Sequence, residues 1–350
     1  MIRFNSDYLE GAHPLIMQRL MATNLEQTPG YGEDAHCERA RDIIRELCQA
    51  PAADVHFLVG GTQTNFTFLS AVLKPWQGVI SADTGHIAVH ETGAVEATGH
   101  KVIALPNRDG KLSAAQVSEY CHLHFSDESH EHMVMPGAVY ISNPTEVGTL
   151  YSRQELLDLR KVCDRWNLIL FLDGARLGYG LASPANELDL PFIAQVTDAF
   201  YIGGTKQGLL FGEALVITRD AIRPNFRYVV KQKGGMLAKG RLLGVQFEAA
   251  LEGGLYMDMA RHAIDLAMKL REALRDMGVQ FLVDSPTNQQ FPILPNALLE
   301  ALGRDYSFAT IERVDAGRTA IRFCTSWATR DEDVDALIGD LKRLMERFSQ

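Results

Sequence analysis

The amino-acid sequence predicts an α/β fold, with a mostly parallel sheet in a large domain and a smaller C-terminal α+β domain behind it. Three observations carry this. Short apolar runs recur through the first two thirds of the chain, and helical patterns separate them. After about residue 245 that alternation gives way to a long helical stretch, a Pro/Asn-rich bend and one short strand. Apolar runs without polar alternation read as strands covered on both faces, and strands alternating with helices build a parallel sheet beneath a helical layer.

Residues 1–20 read as an N-terminal arm, 21–245 as the large domain and 246–350 as the small one. In the large domain Ala40, Ile43, Ile44 and Leu47 share one helix face. VHFLV (55–59) is the first strand, and Phe66, Leu69, Val72 and Leu73 mark a helix that stops before Pro75. KVIAL (101–105) and AVYIS (138–142) are the next two strands. Ser152 and Glu155 have the spacing of a capping box, and Leu156, Leu159, Cys163 and Trp166 form the stripe of the helix that feeds LILFL (168–172). DAFYI (198–202) and ALVIT (214–218) complete the six runs. In the small domain, SPTNQQFPILPN is the bend, AIRFCTS the strand, and the last helix is expected to be capped by Thr329 with Glu332.

The chain has 350 residues, 46% of them hydrophobic, enough for a sizeable core. Its 34 basic and 44 acidic side chains give net −10 with no long basic run, which argues against a phosphate-tracking nucleic-acid surface and favours small-molecule partners. Five scattered cysteines (37, 48, 121, 163 and 324) lack any C-x-x-C pair, so neither a disulfide framework nor a zinc clamp is expected. No apolar leader core and no run of about 18 apolar residues is present, so a cytoplasmic protein with no membrane contact is expected. His122, His124, His130 and His132 lie in a polar stretch that reads as a solvated insertion rather than a metal site.

Three strand ends carry polar groups where open α/β sheets hold ligands. After VHFLV, Gly60 and Gly61 allow a close backbone approach, and the helix opening at Thr62 offers free N–H groups to a phosphate. Asp173 follows LILFL directly, and a carboxylate there needs a partner. Lys206 follows two glycines and Thr205, where burial depresses an amine's pKa and leaves it nucleophilic. Each has a plainer reading: a glycine turn, a helix cap or pair with Arg176, a solvated loop lysine. Together they supply a phosphate anchor, a carboxylate for a pyridine nitrogen and an amine for an aldehyde, the needs of pyridoxal 5'-phosphate.

The ordered motifs N-S-D at Asn5 to Asp7, Y-G-E-D at 31–34, G-G-T at 60–62, H-I-x-x-x-E at 86–91, D-G-A-R at 173–176 and G-T-K at 204–206 resemble the threonine aldolase family. That family belongs to the β-eliminating-lyase-like group of fold-type-I pyridoxal-phosphate enzymes. The resemblance implies an aspartate-aminotransferase-like large domain with a seven-stranded sheet. It implies that Lys206 forms the Schiff base and Asp173 pairs with the pyridinium. Gly61, Thr62 and Thr205 would touch the phosphate, and His86 would stack on the cofactor ring and act as a base. Arg176 and Arg322, assisted by Ser6, would take the substrate carboxylate, a task suited to planar guanidinium groups. One departure stands out: S-N-P-T at 142–145 replaces the family's frequent E-N-T-H, so Thr145 falls where a histidine is often found, while Asn143 is kept. The resemblance further implies a homodimer or homotetramer with the active site at a subunit interface, and Lys231 is favoured as the lysine reaching a neighbour's phosphate.

The reaction this implies is retro-aldol cleavage of a β-hydroxy-α-amino acid (threonine, allo-threonine or phenylserine type) to glycine and an aldehyde. β-Elimination, other side-chain lysis and transamination would use the same Lys206 and Asp173. A non-catalytic nucleotide-binding reading is weakened because neither G-x-G-x-x-G nor G-x-x-x-x-G-K-[ST] occurs at the strand ends.

Overall fold

The computed structural model describes residues 1–348. Seven strands form the main sheet: β1 (Asp54–Leu58), β2 (Gln77–Ala82), β3 (Val102–Leu105), β4 (Met135–Ser142), β5 (Ile169–Asp173), β6 (Ala199–Gly203) and β7 (Glu213–Ile217). Their spatial order is β1-β7-β6-β5-β4-β2-β3. β7 runs antiparallel to both of its neighbours, and all the other pairings are parallel. Six strands therefore end on one rim of the sheet, and the reversed strand β7 begins there.

Alternation along the central strands explains their continuous apolar runs. Leu170 and Leu172 of β5 point into one core cluster and Phe171 into another. Likewise Val139 and Ile141 face one side of β4 while Ala138 and Tyr140 face the other. Burial on both faces leaves no position for a solvated side chain. The edge strand β3 is the exception: only Ile103 is buried there, because it pairs on one side alone.

The strand not marked by an apolar run is β2, whose sequence Gln77-Gly-Val-Ile-Ser-Ala begins and ends with small or polar residues. Its Gly78 is required by space, since a Cβ there would lie 2.6 Å from the Lys101 carbonyl oxygen. The helix after β1 spans Gly61–Val72 and buries Phe68 beside the expected Leu69, with Leu73 buried just past its end and the expected Phe66 and Val72 half-buried against the same core. The capping box forms as expected: Ser152 caps Arg153–Trp166, and the Glu155 carboxylate accepts from the Ser152 N–H at 2.8 Å. The final helix, Asp331–Phe348, starts later than Thr329, whose hydroxyl accepts from the Ser326 N–H at 2.8 Å.

The smaller C-terminal unit is built on Arg318–Cys324, which pairs antiparallel with Ala309–Arg313, Pro292–Pro295 and Gln289–Gln290. The expected bend at 285–296 thus holds two short strands. Helices Leu255–Asp276 and Asp331–Phe348 cover the sheet through Leu266, Leu270, Leu274, Val334, Leu337 and Leu341. Ile2–Arg3 pairs in parallel with Tyr306–Ser307, and the fully buried Phe4 joins the same core. The N-terminus is thereby anchored to the C-terminal unit, and the next residues run toward the rim of the large sheet. His124 packs edge-on to Phe125, which stacks on Trp166, so the histidine-rich stretch is partly structural. All five cysteines are buried free thiols. No helix among the described residues is long and apolar enough to cross a membrane.

Candidate active site

A cleft of about 290 Å³ opens at the rim where the six strands end, close to the lower bound of typical small-ligand sites. Val59 to Thr62, Asp173, Thr205 and Lys206 all line it, together with His86, Arg176 and Tyr8. The three strand ends singled out in the sequence thus converge on one cavity.

Asp173 ends β5 on its floor, buried. One carboxylate oxygen accepts from Tyr140 Oη at 2.5 Å and Asn65 Nδ2 at 3.2 Å, and the other accepts from the Ala175 N–H at 3.0 Å. Burial opposes its ionisation, but the charge of His86 and donors from Tyr140, Tyr201 and Ala175 win and hold it below the ordinary carboxylate range. Its partner is therefore not Arg176. Tyr140 and Tyr201 lie on the Phe171 face of the sheet, and only their hydroxyls are polar.

Lys206 follows β6 on a turn that needs its glycines: a Cβ on Gly203 would meet the Ala175 carbonyl oxygen at 2.4 Å, and one on Gly204 the Gly212 oxygen at 2.6 Å. The turn is pinned by Tyr179 Oη, which donates to the Lys206 carbonyl at 2.6 Å. Burial and the Arg176 charge push the amine's pKa down, against the pull of Asp7, Asp173 and Glu213. The direction favours a neutral, nucleophilic nitrogen.

The Gly61–Val72 helix starts at Gly60 with no side-chain cap, so its first N–H groups face the cleft as an anion seat. Thr205 Oγ1 accepts from the Gly212 N–H at 3.0 Å. His86 stands on the opposite flank. Its Nδ1 lies 2.7 Å from Glu91 Oε1, which also accepts from Asn65 Nδ2 at 2.7 Å. Asp173, Asn65, Glu91 and His86 are one hydrogen-bonded chain. In the neutral ring, donation from Nδ1 to the carboxylate leaves Nε2 as the acceptor.

The carboxylate-binding candidates differ among themselves. Arg176 is clamped by Asp7 through Nε at 2.7 Å and Nη2 at 3.0 Å. Arg322 does not line the cleft; it donates to Gln289 Oε1 and to the Asn5 carbonyl, each at 3.0 Å. His90 is held below its ordinary value by burial and then by the charges of His86 and Arg322, which sets Arg322 on the histidine side. Ser6 Oγ and Arg322 Nε are buried without a protein partner. Lys231 is exposed with its ammonium 4.7 Å from the centre of the Tyr31 ring, away from this chain's own cleft. Thr145 is buried and shares its hydroxyl with Thr149 at 2.7 Å. From this loop Pro144 and Glu146 line the cleft, and Glu146 accepts from Ser142 Oγ at 2.7 Å and the His86 N–H at 2.9 Å.

Sequence reasoning missed Glu146, Glu213, Tyr140 and Tyr201. Glu213 had a signal, a lone acid opening the apolar run EALVI. So did the tyrosines, as polar-tipped rings inside buried strands.

Residues 4–296 match the Beta-eliminating lyase family. The low specificity L-threonine aldolase of Pseudomonas sp. (strain NCIMB 10558) is 30% identical over 351 residues, covering 98% of each chain. The chain belongs to the threonine aldolase family of beta-eliminating lyases. A threonine aldolase structure from Leishmania major is 46% identical with a TM-score of 0.96, covering 99% of this chain and all of that one. An aspartate aminotransferase of Thermus thermophilus, 14% identical with a TM-score of 0.70 over 98% of this chain and 91% of its own, shares the fold alone. The mostly parallel seven-stranded sheet with a smaller C-terminal unit is thus the fold-type-I architecture expected from the motifs.

Proposed function

We propose that this lyase cleaves β-hydroxy-α-amino acids of the threonine, allo-threonine or phenylserine type to glycine and an aldehyde, with pyridoxal 5'-phosphate as cofactor. The observation that carries the reading is the convergence of Lys206, Asp173 and the uncapped helix at Gly61 on one cleft. An amine, a buried ionised carboxylate and an anion seat fit the cofactor's aldehyde, pyridine nitrogen and phosphate. When bound, the group supplies an electron-accepting ring conjugated to the substrate's Cα.

The chain's own residues do the rest. Lys206 presents a neutral amine to the aldehyde, and Asp173 keeps the ring nitrogen protonated. Gly61, Thr62 and Thr205 hold the phosphate by N–H and hydroxyl groups. His86, with Nδ1 fixed by Glu91, offers Nε2 to the proton of the substrate's β-hydroxyl. Arg322, the remaining edge of Arg176 and the free Ser6 hydroxyl recognise the carboxylate. Lys206→Ala is expected to lose borohydride-fixable cofactor and nearly all release of glycine and aldehyde. Full turnover by that variant, or ammonia and a keto acid as products, overturns the assignment.

The same reading includes a cytoplasmic homodimer or homotetramer with shared sites. The support for the assembly is the apolar N-terminal segment, where Tyr8, Leu15, Met21 and Leu25 are exposed, together with Lys231 lying outside its own cleft. Mixing Lys206→Ala and Lys231→Ala subunits is expected to restore activity that neither has alone; no restoration after subunit exchange sinks the shared site.

A further inference from the structure

Glu213 has no assigned part in that chemistry, yet it lines the cleft at 3% exposure. Its position follows from topology. As the first residue of the reversed strand β7, it opens at the rim where the other strands close. It pairs with Leu58 on one side and Gly203 on the other, so it sits between the loop carrying Gly60 to Thr62 and the loop carrying Thr205 and Lys206. One oxygen, Oε2, accepts from the Gly204 N–H at 3.1 Å, and the Thr205 hydroxyl also bonds to the carboxylate. Among the described residues it forms no ion pair within 4.0 Å, and the cation acting on it from farther off is Lys206.

We propose that Glu213 keeps a proton on its carboxyl in the loaded site and donates it to the cofactor's phosphate, making phosphate recognition pH-dependent. The inference rests on the phosphate seat proposed above. A phosphate monoester carries about −1.5 to −2 charge at neutral pH, and an unpaired buried carboxylate beside it would repel it in a medium that screens poorly. A neutral acid turns that repulsion into a hydrogen bond, while Oε2 goes on accepting from the Gly204 N–H.

The surroundings agree with a proton held near neutrality. Burial raises Glu213, the Thr205 hydroxyl, Lys206 and the Gly204 N–H lower it, Asp173 raises it again, and together they leave it at about 8. The remaining titratable groups facing it are the Tyr201 and Tyr256 phenols, both neutral in this range because burial raises them. Above its pKa the carboxylate should lose phosphate affinity by up to about tenfold per pH unit.

The test compares cofactor-stripped protein binding pyridoxal 5'-phosphate and pyridoxal, because the ratio of the two Kd values cancels the titration of Lys206. In the wild type the preference for the phosphorylated form should drop about tenfold or more between about pH 7 and pH 9.5. Glu213→Gln, a permanently neutral isostere, should keep the preference level across that range. A level preference in the wild type, or an equal drop in the variant, overturns the proposal. Should the variant not fold, calorimetry of the wild type in buffers of different ionisation enthalpy at about pH 9 decides. The phosphorylated ligand must take up more protons than pyridoxal, and equal uptake overturns the role. No preference for the phosphorylated form even at pH 7 would refute the phosphate seat itself, and this inference with it.

Discussion

A carboxylate that must stay ionised under a cofactor depends on its donors, because burial alone would protonate it. Asp173 has Tyr140, Asn65, Tyr201 and the Ala175 N–H for this task. Tyr140→Phe deletes the 2.5 Å donor while keeping the ring that packs on Phe171. Removing a donor to a buried anion costs about 1–3 kcal/mol, part of which appears as a higher Asp173 pKa. A depressed carboxylate stays charged until the pH falls through its own pKa, so raising that pKa moves the loss of charge to higher pH. The acid limb of kcat/KM should therefore shift upward in Tyr140→Phe, and kcat should fall by about tenfold; an unmoved acid limb would show that Tyr140 does not hold the charge. Such a role is invisible to spacing arguments. Asp173 is legible because an acid ends an apolar run, but the partners that keep it charged come from β4, β6 and a helix more than 100 residues earlier.

The D-G-A-R turn shows why motifs read more easily than the elements around them. Gly174 is fixed by a local steric fact: a Cβ there would lie 1.8 Å from the Tyr201 carbonyl oxygen, where β5 and β6 close together at the rim. Gly174→Ala forces the two strand ends apart, and a loss of about 3 kcal/mol or more is expected. Urea denaturation checks it, and a midpoint equal to wild type would mean that the rim can yield. Strands buried on both faces were equally legible, since β4 to β7 have no solvated position to interrupt them. β2 was not, because its ends are small or polar and its large core side chains are Val79 and Ile80 alone. The Gly61–Val72 helix was legible in part for a related reason: Leu69 and Leu73 are buried as expected, but Thr64, Asn65 and Thr67 are buried with them, and Asn65 is there to serve Asp173 and Glu91. Where polar side chains are buried for the site's sake, apolar periodicity marks only part of the buried face.

The N-terminal residues join the two parts of the molecule. Phe4 lies between Tyr306 and Phe323, 6.4 and 6.1 Å between ring centres, and its carbonyl accepts from the Cys324 N–H at 2.8 Å. The next carbonyl, of Asn5, holds Arg322, and two residues on Asp7 clamps Arg176. Both arginines proposed for the substrate carboxylate are thus tied to one short stretch, anchored by the Ile2–Arg3 pairing and by one buried ring. Lys206, Asp173 and the Gly61 helix are held by the main sheet and its loops, and the stretch reaches Lys206 through the Asp7 charge and the Tyr8 ring rather than through its backbone. Phe4→Ala should cost about 3–5 kcal/mol of stability, and in the folded fraction it should raise KM for the amino acid severalfold while leaving the Kd for pyridoxal 5'-phosphate unchanged. Steady-state kinetics beside a cofactor titration separates these effects. A matched loss of cofactor affinity would mean that the ring supports the sheet as a whole and that the arginines are not positioned through the N-terminal chain.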